Sequence, residues 1–397
     1  MKKLVLAYSG GLDTSYCVKY LSKDCGYEVH AVLVNTGGYN SEDIETVKGK
    51  AFLLGAKSFI CIEASAEFYD TVIKYLIYGN VLKNDTYPLS VSAERIVQAI
   101  AIVKYAKEQQ AGYIAHGSTG AGNDQVRFDM IFQTLAPEIE IVTPIREQSL
   151  SRQDSISYLG QNGIDLTWEK AKYSINKGIW GTSVGGAETL SSNLALPSSA
   201  YPSQLEQIDP LEVKLSFLQG EIVAINDQHN DPVQNILQLN TLAAGFAIGR
   251  DIHVGDTIIG IKGRVGFEAG GPLIIIKAHH LLEKHTLSKW QLHWNKQLGD
   301  WYGMLLHEGH YYDPVMRNIE CFLADSQKLV SGDVFVKLHP YRFELMGVAS
   351  KNDLMQADFG NYGEEAKLWT SDEAKGFIKL MSNASKIYQH VNDQADV

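Results

Sequence analysis

The chain has 397 residues, 45% of them hydrophobic, which is enough to bury a sizeable core and long enough for two or more domains. A formal net charge of -11 argues against affinity drawn mainly from phosphate backbones, since such proteins carry a basic face; nucleic acid is not an expected partner. No apolar run approaches the length of a membrane span, so no membrane partner is expected either.

At the N-terminus two lysines precede a short apolar run, but it stops at Ala7 in a Gly-rich turn. It is too short for a secretory core, and no small-residue cleavage site follows. Residues 4–7 are read instead as a strand. Further strands are expected at 29–34, 58–62, 113–115 and 139–142, with helices after Asp13, from Glu42, from Ala66 and over 93–109. In the last of these Ile96, Ala99, Ile100 and Val103 share one face. This alternation predicts a doubly wound α/β domain with a parallel sheet over residues 1–165. Residues 191–210, rich in Ser, Asn and Pro, read as a loop or connection. Residues 211–226 and 256–277 are rich in β-branched residues and glycine, so an α+β domain with a mixed sheet is expected over 166–360. It includes a long helix at 287–306 and a strand pair near 330–348 interrupted by His339 and Pro340. The tail, 361–397, opens a helix with Thr370 and Glu373 at capping-box spacing. It continues amphipathically through Phe377, Leu380, Met381 and Ile387, a stripe that needs its own domain or another subunit to cover it. The four cysteines, Cys17, Cys25, Cys61 and Cys321, show no CxxC pair and no metal spacing with histidine, so free thiols and a cytoplasmic setting are expected.

The strongest chemical signal is Ser9-Gly-Gly-Leu-Asp-Thr-Ser15 between the first strand and the first helix. Paired glycines let the backbone present its N–H groups to an anion, the helix N-terminus adds its dipole, and Ser9, Thr14 and Ser15 add hydroxyls. Such a nest suits pyrophosphate. The loop lacks the lysine of GxxxxGK[ST] and the third glycine of GxGxxG; it resembles the loop of the N-type ATP pyrophosphatases. A second constellation, 116–128, follows the strand at 113–115, where ligands bind in doubly wound sheets. There Asn123, Asp124 and Arg127 suit an amino acid, because a carboxylate prefers arginine and amide donors while an ammonium prefers aspartate.

AYSGGLDTS, TYPLSVSAER and HGSTGAGNDQVRF together resemble blocks of the argininosuccinate synthases, in that family's order and over nearly the whole length. The resemblance implies a ligase of arginine biosynthesis that condenses citrulline with aspartate through a citrullyl-adenylate, turning ATP into AMP and pyrophosphate with Mg2+. It implies a homotetramer with a nucleotide-binding domain at 1–165, a synthetase domain at 166–360 and an oligomerisation helix at 361–397. By the same resemblance Ala7, Tyr8, Ser9, Gly10, Gly11, Leu12, Asp13, Thr14, Ser15 and Gly117 would contact ATP. Thr119, Asn123 and Asp124 would hold aspartate, and Tyr87, Ser92, Asn123, Arg127, Ser174 and Ser183 citrulline. No side chain is expected to act covalently. Asp13 is read either as an indirect metal or loop-ordering group or as an N-terminal helix stabiliser.

The chain departs from the family's pattern at several places. Ala121 stands where the common GKGND block has lysine, 174–178 reads SINKG in place of SxDEN, and Gly255 and Phe267 stand where glutamate and tyrosine usually meet citrulline. Substitution from Asp256 or Glu268 is one reading; adaptation to an N-acylated citrulline, whose amide carries no charge, is the other. His307-Glu-Gly-His310 is one residue short of HExxH and reads as a helix end. His279, His280 and His285 read as packing or polar surface, and Trp290, Trp294 and Trp301 as core or subunit packing. A transfer-RNA-modifying relative would call for a basic groove and cysteines, and a nucleotide-sensing module without catalysis would have little use for the 123–127 constellation.

Overall fold

The N-terminal apolar run forms β1 (Lys2–Ala7), with Leu4, Val5 and Leu6 wholly buried. It opens a computed structural model that describes residues 2–164, 173–356, 359–363 and 365–393. There follow α1 (Leu12–Lys23), β2 (Tyr27–Asn35), α2 (Ser41–Leu54) and β3 (Ser58–Glu63). A helical stretch comes next, in which α3 (Ser65–Phe68) and α4 (Lys74–Tyr78) flank a π-helical segment, Tyr69–Ile73. Then come α5 (Glu94–Glu108), β4 (Tyr113–Ala115), α6 (Asp124–Leu135), β5 (Glu140–Val142), α7 (Pro144–Glu147) and α8 (Arg152–Gln161). The five strands pair in the order β3-β2-β1-β4-β5, all parallel. They are covered on both faces, which is why they read as continuous apolar runs. In α5 Ile96, Ala99 and Val103 are buried as expected, and Ile100 is half-buried. The chain leaves β1 for β2 on one side and returns to β4 on the other, creating a switch point between the carboxyl ends of β1 and β4.

The chain continues through β6 (Ser174–Gly178) and β7 (Gly181–Gly185) into residues 191–210, whose regular structure is one short turn, Ser198–Ala200. Next are β8 (Leu211–Leu218), β9 (Glu221–Ile225), β10 (Gln228–His229), α9 (Pro232–Gly245), β11 (Arg250–Asp256), β12 (Lys262–Glu268), α10 (Gly270–Thr286), α11 (Lys289–His307), α12 (Pro314–Ser326), β13 (Gly332–His339) and β14 (Arg342–Ala349). Two antiparallel sheets result, β10-β9-β8-β13-β14 and β11-β12-β7-β6. The sheet expected over 256–277 reaches only to Glu268, and the rest of that segment belongs to α10. This helix buries Ile274, Ile275, Ile276, Ala278 and Leu282 on several sides, so its sequence shows no single apolar stripe. Trp290, Trp294 and Trp301 on α11 are more than half exposed, which removes core packing as their role. His279 is wholly buried and bonded to Asn80 and Gln327, a packing role as read; α11 ends at His307, leaving His310 in the turn beyond.

These elements make up one compact unit, Met1–Asn352; the second is Asp353–Val397. The second unit holds β15 (Gly360–Asn361), β16 (Glu365–Ala366), α13 (Ser371–Met381) and α14 (Asn383–Asp393). Thr370 and Glu373 form the expected capping box. The single helix read from the sequence is two, parted at Ser382, and both carry exposed apolar side chains that include Phe377, Leu380, Met381 and Ile387. All four cysteines are unbridged, and no helix among the described residues is long and apolar enough to cross a membrane.

Candidate functional site

At the switch point Gly10 takes φ +75°, a left-handed conformation that glycine adopts at no steric cost, and Gly11 leads into α1 without a side-chain cap. The first N–H groups of α1 are thus left for an external acceptor, at the positive end of the helix dipole. Ser9 and Thr14 brace the turn: their hydroxyls lie 3.3 Å apart, and Thr14 Oγ1 donates to Gly11 O at 3.2 Å. Ala7, Tyr8, Ser9, Gly11, Leu12, Asp13 and Thr14 line a cleft of about 1300 Å³. Gly10 and Ser15, expected beside them, do not line it: a Cβ on Gly10 would meet Val47 at 3.0 Å, and Ser15 is buried. Burial lifts the Asp13 carboxyl above its ordinary range, while the charge of Arg152 opposes that lift.

The loop after β4 leans on this turn. A Cβ on Gly117 would sit 3.1 Å from both the backbone nitrogen and Cγ2 of Thr14, so any larger residue would press the two loops apart by a few tenths of an ångström. His116 anchors the loop. Its Nδ1 accepts from Ser118 N at 3.2 Å, which leaves the proton on Nε2 to donate to Asp129 at 2.9 Å. Arg146 holds the other Asp129 oxygen at 2.7 Å.

Beyond Gly117 lies an alternating row of charges. Arg95 Nε donates to Asp124 Oδ2 at 3.0 Å, and Arg127 Nη1 to Asp124 Oδ1 at 2.8 Å. Burial pushes the Asp124 carboxyl up, but the two guanidinium groups outweigh it and hold the pKa at about 2. Arg95 also reaches Glu94 at 2.7 Å, and Glu94 accepts from Thr36 Oγ1; burial raises Glu94 to about 7 despite Arg95 and Thr36. Arg127 is steadied from the far side by His307, donating from Nε to its carbonyl at 2.8 Å and from Nη2 to its Nδ1 at 3.2 Å. Sequence reasoning missed Arg95 as a site residue, and it read His307 as a helix end without linking it to the cleft. Arg95 was visible only as the last letter of the SVSAER block, and His307 lies 180 residues from Arg127.

Asn123 ties the loop to the opposite wall, accepting from Ile258 N at 2.9 Å and keeping its amide hydrogens free for the cleft. That wall is the β11-β12-β7-β6 sheet. Its β6–β7 turn is fixed by Ile179 N to Thr36 O at 2.9 Å and by Trp180 Nε1 to Pro88 O at 2.8 Å. Ser174 and Ser183 line the cleft, with Asn176 3.5 Å from the Ser183 hydroxyl. Tyr87 and Ser92 complete the lining. The Tyr87 oxygen accepts from Val91 N at 3.2 Å, and the Ser92 hydroxyl is buried without a protein partner. Gly117, Thr119, Asn123, Asp124 and Arg127 also line it, whereas Ala121 and Phe267 do not. Glu268 is committed to Arg250 at 2.9 Å in a nearly buried pair, whereas Asp256 lines the cleft and pairs with Lys262 at 2.6 Å with both side chains exposed.

No cluster of three His, Cys, Asp or Glu side chains among the described residues is arranged to hold a metal ion. Mg2+ carried on nucleotide phosphates needs only one or two protein carboxylates, and Asp13 lines the cleft at the phosphate loop.

Two family models match the chain: the arginosuccinate synthase N-terminal HUP domain over residues 3–165, and the arginosuccinate synthase C-terminal domain over 173–388. Among curated proteins the chain is 36% identical to the argininosuccinate synthase of Xanthomonas campestris pv. campestris, covering 98% of this chain and 99% of that one. It is 35% identical to that of Dictyoglomus thermophilum, over 98% and 97%. With that of Methanocaldococcus jannaschii it shares 34% identity, over 97% of each.

Proposed function

The chain belongs to the argininosuccinate synthase family and is a ligase that forms a carbon–nitrogen bond; from that premise we propose how its cleft divides the work of condensing citrulline with aspartate. ATP lies along Ala7–Ser9, Gly11–Thr14 and Gly117, with its β- and γ-phosphates over the uncapped start of α1. Tyr87, Ser92, Asn123, Arg127, Ser174 and Ser183 hold citrulline, Arg127 facing its carboxylate. Thr119, Asn123 and Asp124 hold aspartate. The ureido oxygen attacks the α-phosphorus and expels pyrophosphate, whose charge the loop N–H groups receive. The aspartate amine then attacks the activated carbon, loses a proton and displaces AMP. Catalysis rests on positioning and on donors already aimed at the developing charge, with no covalent side chain.

Mg2+ enters as a companion of the nucleotide's phosphates, and no step is assigned to it. The observation that carries this reading is the meeting, in one cleft, of an uncapped helix start at the switch point with the Arg95–Asp124–Arg127 row. Four unbridged thiols suit a cytoplasmic protein, and the exposed stripes of α13 and α14 suit burial against other subunits of a homotetramer. The test is to supply citrulline, free and Nα-acylated, labelled with heavy oxygen in its ureido group. The label appears in AMP if the adenylate forms, and its absence from AMP with both rejects the mechanism.

A further inference from the structure

The part of the cleft assigned above to citrulline has an unusual electrostatic character. On the inward face of β11, His253 and Gly255 are neighbours, and both are buried. A Cβ on Gly255 would lie 2.6 Å from His253 Nε2, so the imidazole fills the space a longer side chain at 255 would need. The imidazole stacks on Tyr87 with centroids 5.1 Å apart, and Tyr87 packs on Phe267 at 5.3 Å. His253 Nδ1 is buried with no hydrogen-bond partner, in a residue only 6% exposed that lines the cleft. Burial, then the charge of Lys83, hold His253 below its ordinary pKa, so it presents a neutral ring.

Among the described residues lining the cleft, the carboxylates are all engaged or remote from this wall. Asp13 and Asp43 belong to the phosphate-loop end, where Asp43 takes part in capping α2. Glu94 and Asp124 are tied to Arg95 and Arg127, and Asp256 pairs with Lys262. Arg127 bears on His307, and Arg264 lines the wall with a buried, unpartnered Nη1; Lys83 bears on His307 too, with Glu308 and Asp256 acting on it in turn. A substrate α-ammonium here would meet Arg127 and Arg264 and no buried, unpaired carboxylate at position 255, an arrangement that disfavours it.

We propose that this site takes a citrulline whose α-nitrogen is acylated, an uncharged amide lying against His253 and Tyr87. The inference rests on the ligase reading above. The unpartnered His253 Nδ1 is the group that meets the amide, accepting from its N–H or donating to its carbonyl according to tautomer.

The test compares kcat/KM for citrulline, Nα-acetylcitrulline and Nα-succinylcitrulline on the full chain with ATP, Mg2+ and aspartate, following AMP. At least one acylated substrate is expected to exceed citrulline by tenfold or more. A preference for free citrulline, or equal use, overturns the inference and leaves the ligase reading standing. No aspartate-dependent AMP from any of the three overturns the ligase reading and this inference with it. His253→Glu puts a carboxylate where the imidazole lies, and His253→Gln serves as the uncharged control. In a variant that still binds ATP, the ratio of acylated to free turnover is expected to fall at least tenfold for His253→Glu and to move much less for His253→Gln. A ratio that stays put in both overturns the role of His253.

Discussion

Arg127 Nε donates to the backbone carbonyl of His307 at 2.8 Å, so the guanidinium proposed to receive the citrulline carboxylate is fixed by the last residue of α11. Burial, with Arg127 and Lys83, keeps the His307 imidazole at a pKa of about 2, so it acts as a neutral acceptor throughout the working range. His307→Ala keeps the carbonyl bond and loses the one to Nδ1. Losing one hydrogen bond to a charged group costs about 1.5–3 kcal/mol, so KM for the citrulline-type substrate is expected to rise roughly tenfold or more. Steady-state kinetics check this; a fall in kcat with KM unchanged would contradict a positioning role.

Gly117 and Thr14 define the gap between the two loops. In Gly117→Ala the added methyl must push the phosphate loop aside, and overpacking of this kind costs about 1–3 kcal/mol. The expected outcome is a folded protein with KM for ATP raised by an order of magnitude, checked by kinetics alongside a thermal melt. Unchanged ATP kinetics would show that the loops do not need their close approach.

Glu283 is wholly buried among Asn80, Asn295 and Gln327, and burial raises its pKa from 4.5 to about 7 against their hydrogen bonds. The folded state therefore holds a proton that the unfolded chain releases. The stability this gives is full below about pH 4.5 and is lost as pH rises to about 7. Glu94 titrates with the same sign in the same window. Melting temperature measured across that window should fall less steeply in Glu283→Gln than in the parent; identical slopes would contradict the assignment.

The exposed apolar faces of α13 and α14 are the surface proposed to join subunits. Leu380→Asp combined with Ile387→Asp is expected to lower the molar mass seen by light scattering. An unchanged mass would show that assembly uses other surfaces.

What the sequence made legible follows from range. The parallel strands announce themselves because both faces are buried, and the SGGLDTS turn because its chemistry sits within seven consecutive residues. Burial on several sides hid the helical character of α10, whose isoleucines mimic a strand. The Arg127–His307 and Arg95–Asn176 contacts join residues far apart in the chain, so no local pattern betrays them. The role of Gly255 was readable only as an absence. That His253 lies across it became visible once β11 was seen to turn both residues inward.

The central claim is tested most directly by following AMP and pyrophosphate over many turnovers with ATP and Mg2+, omitting the citrulline-type substrate and aspartate in turn. The account requires sustained release only when both are present, with the citrulline free or Nα-acylated. Release that continues without either amino acid, or none when both are supplied, would contradict it.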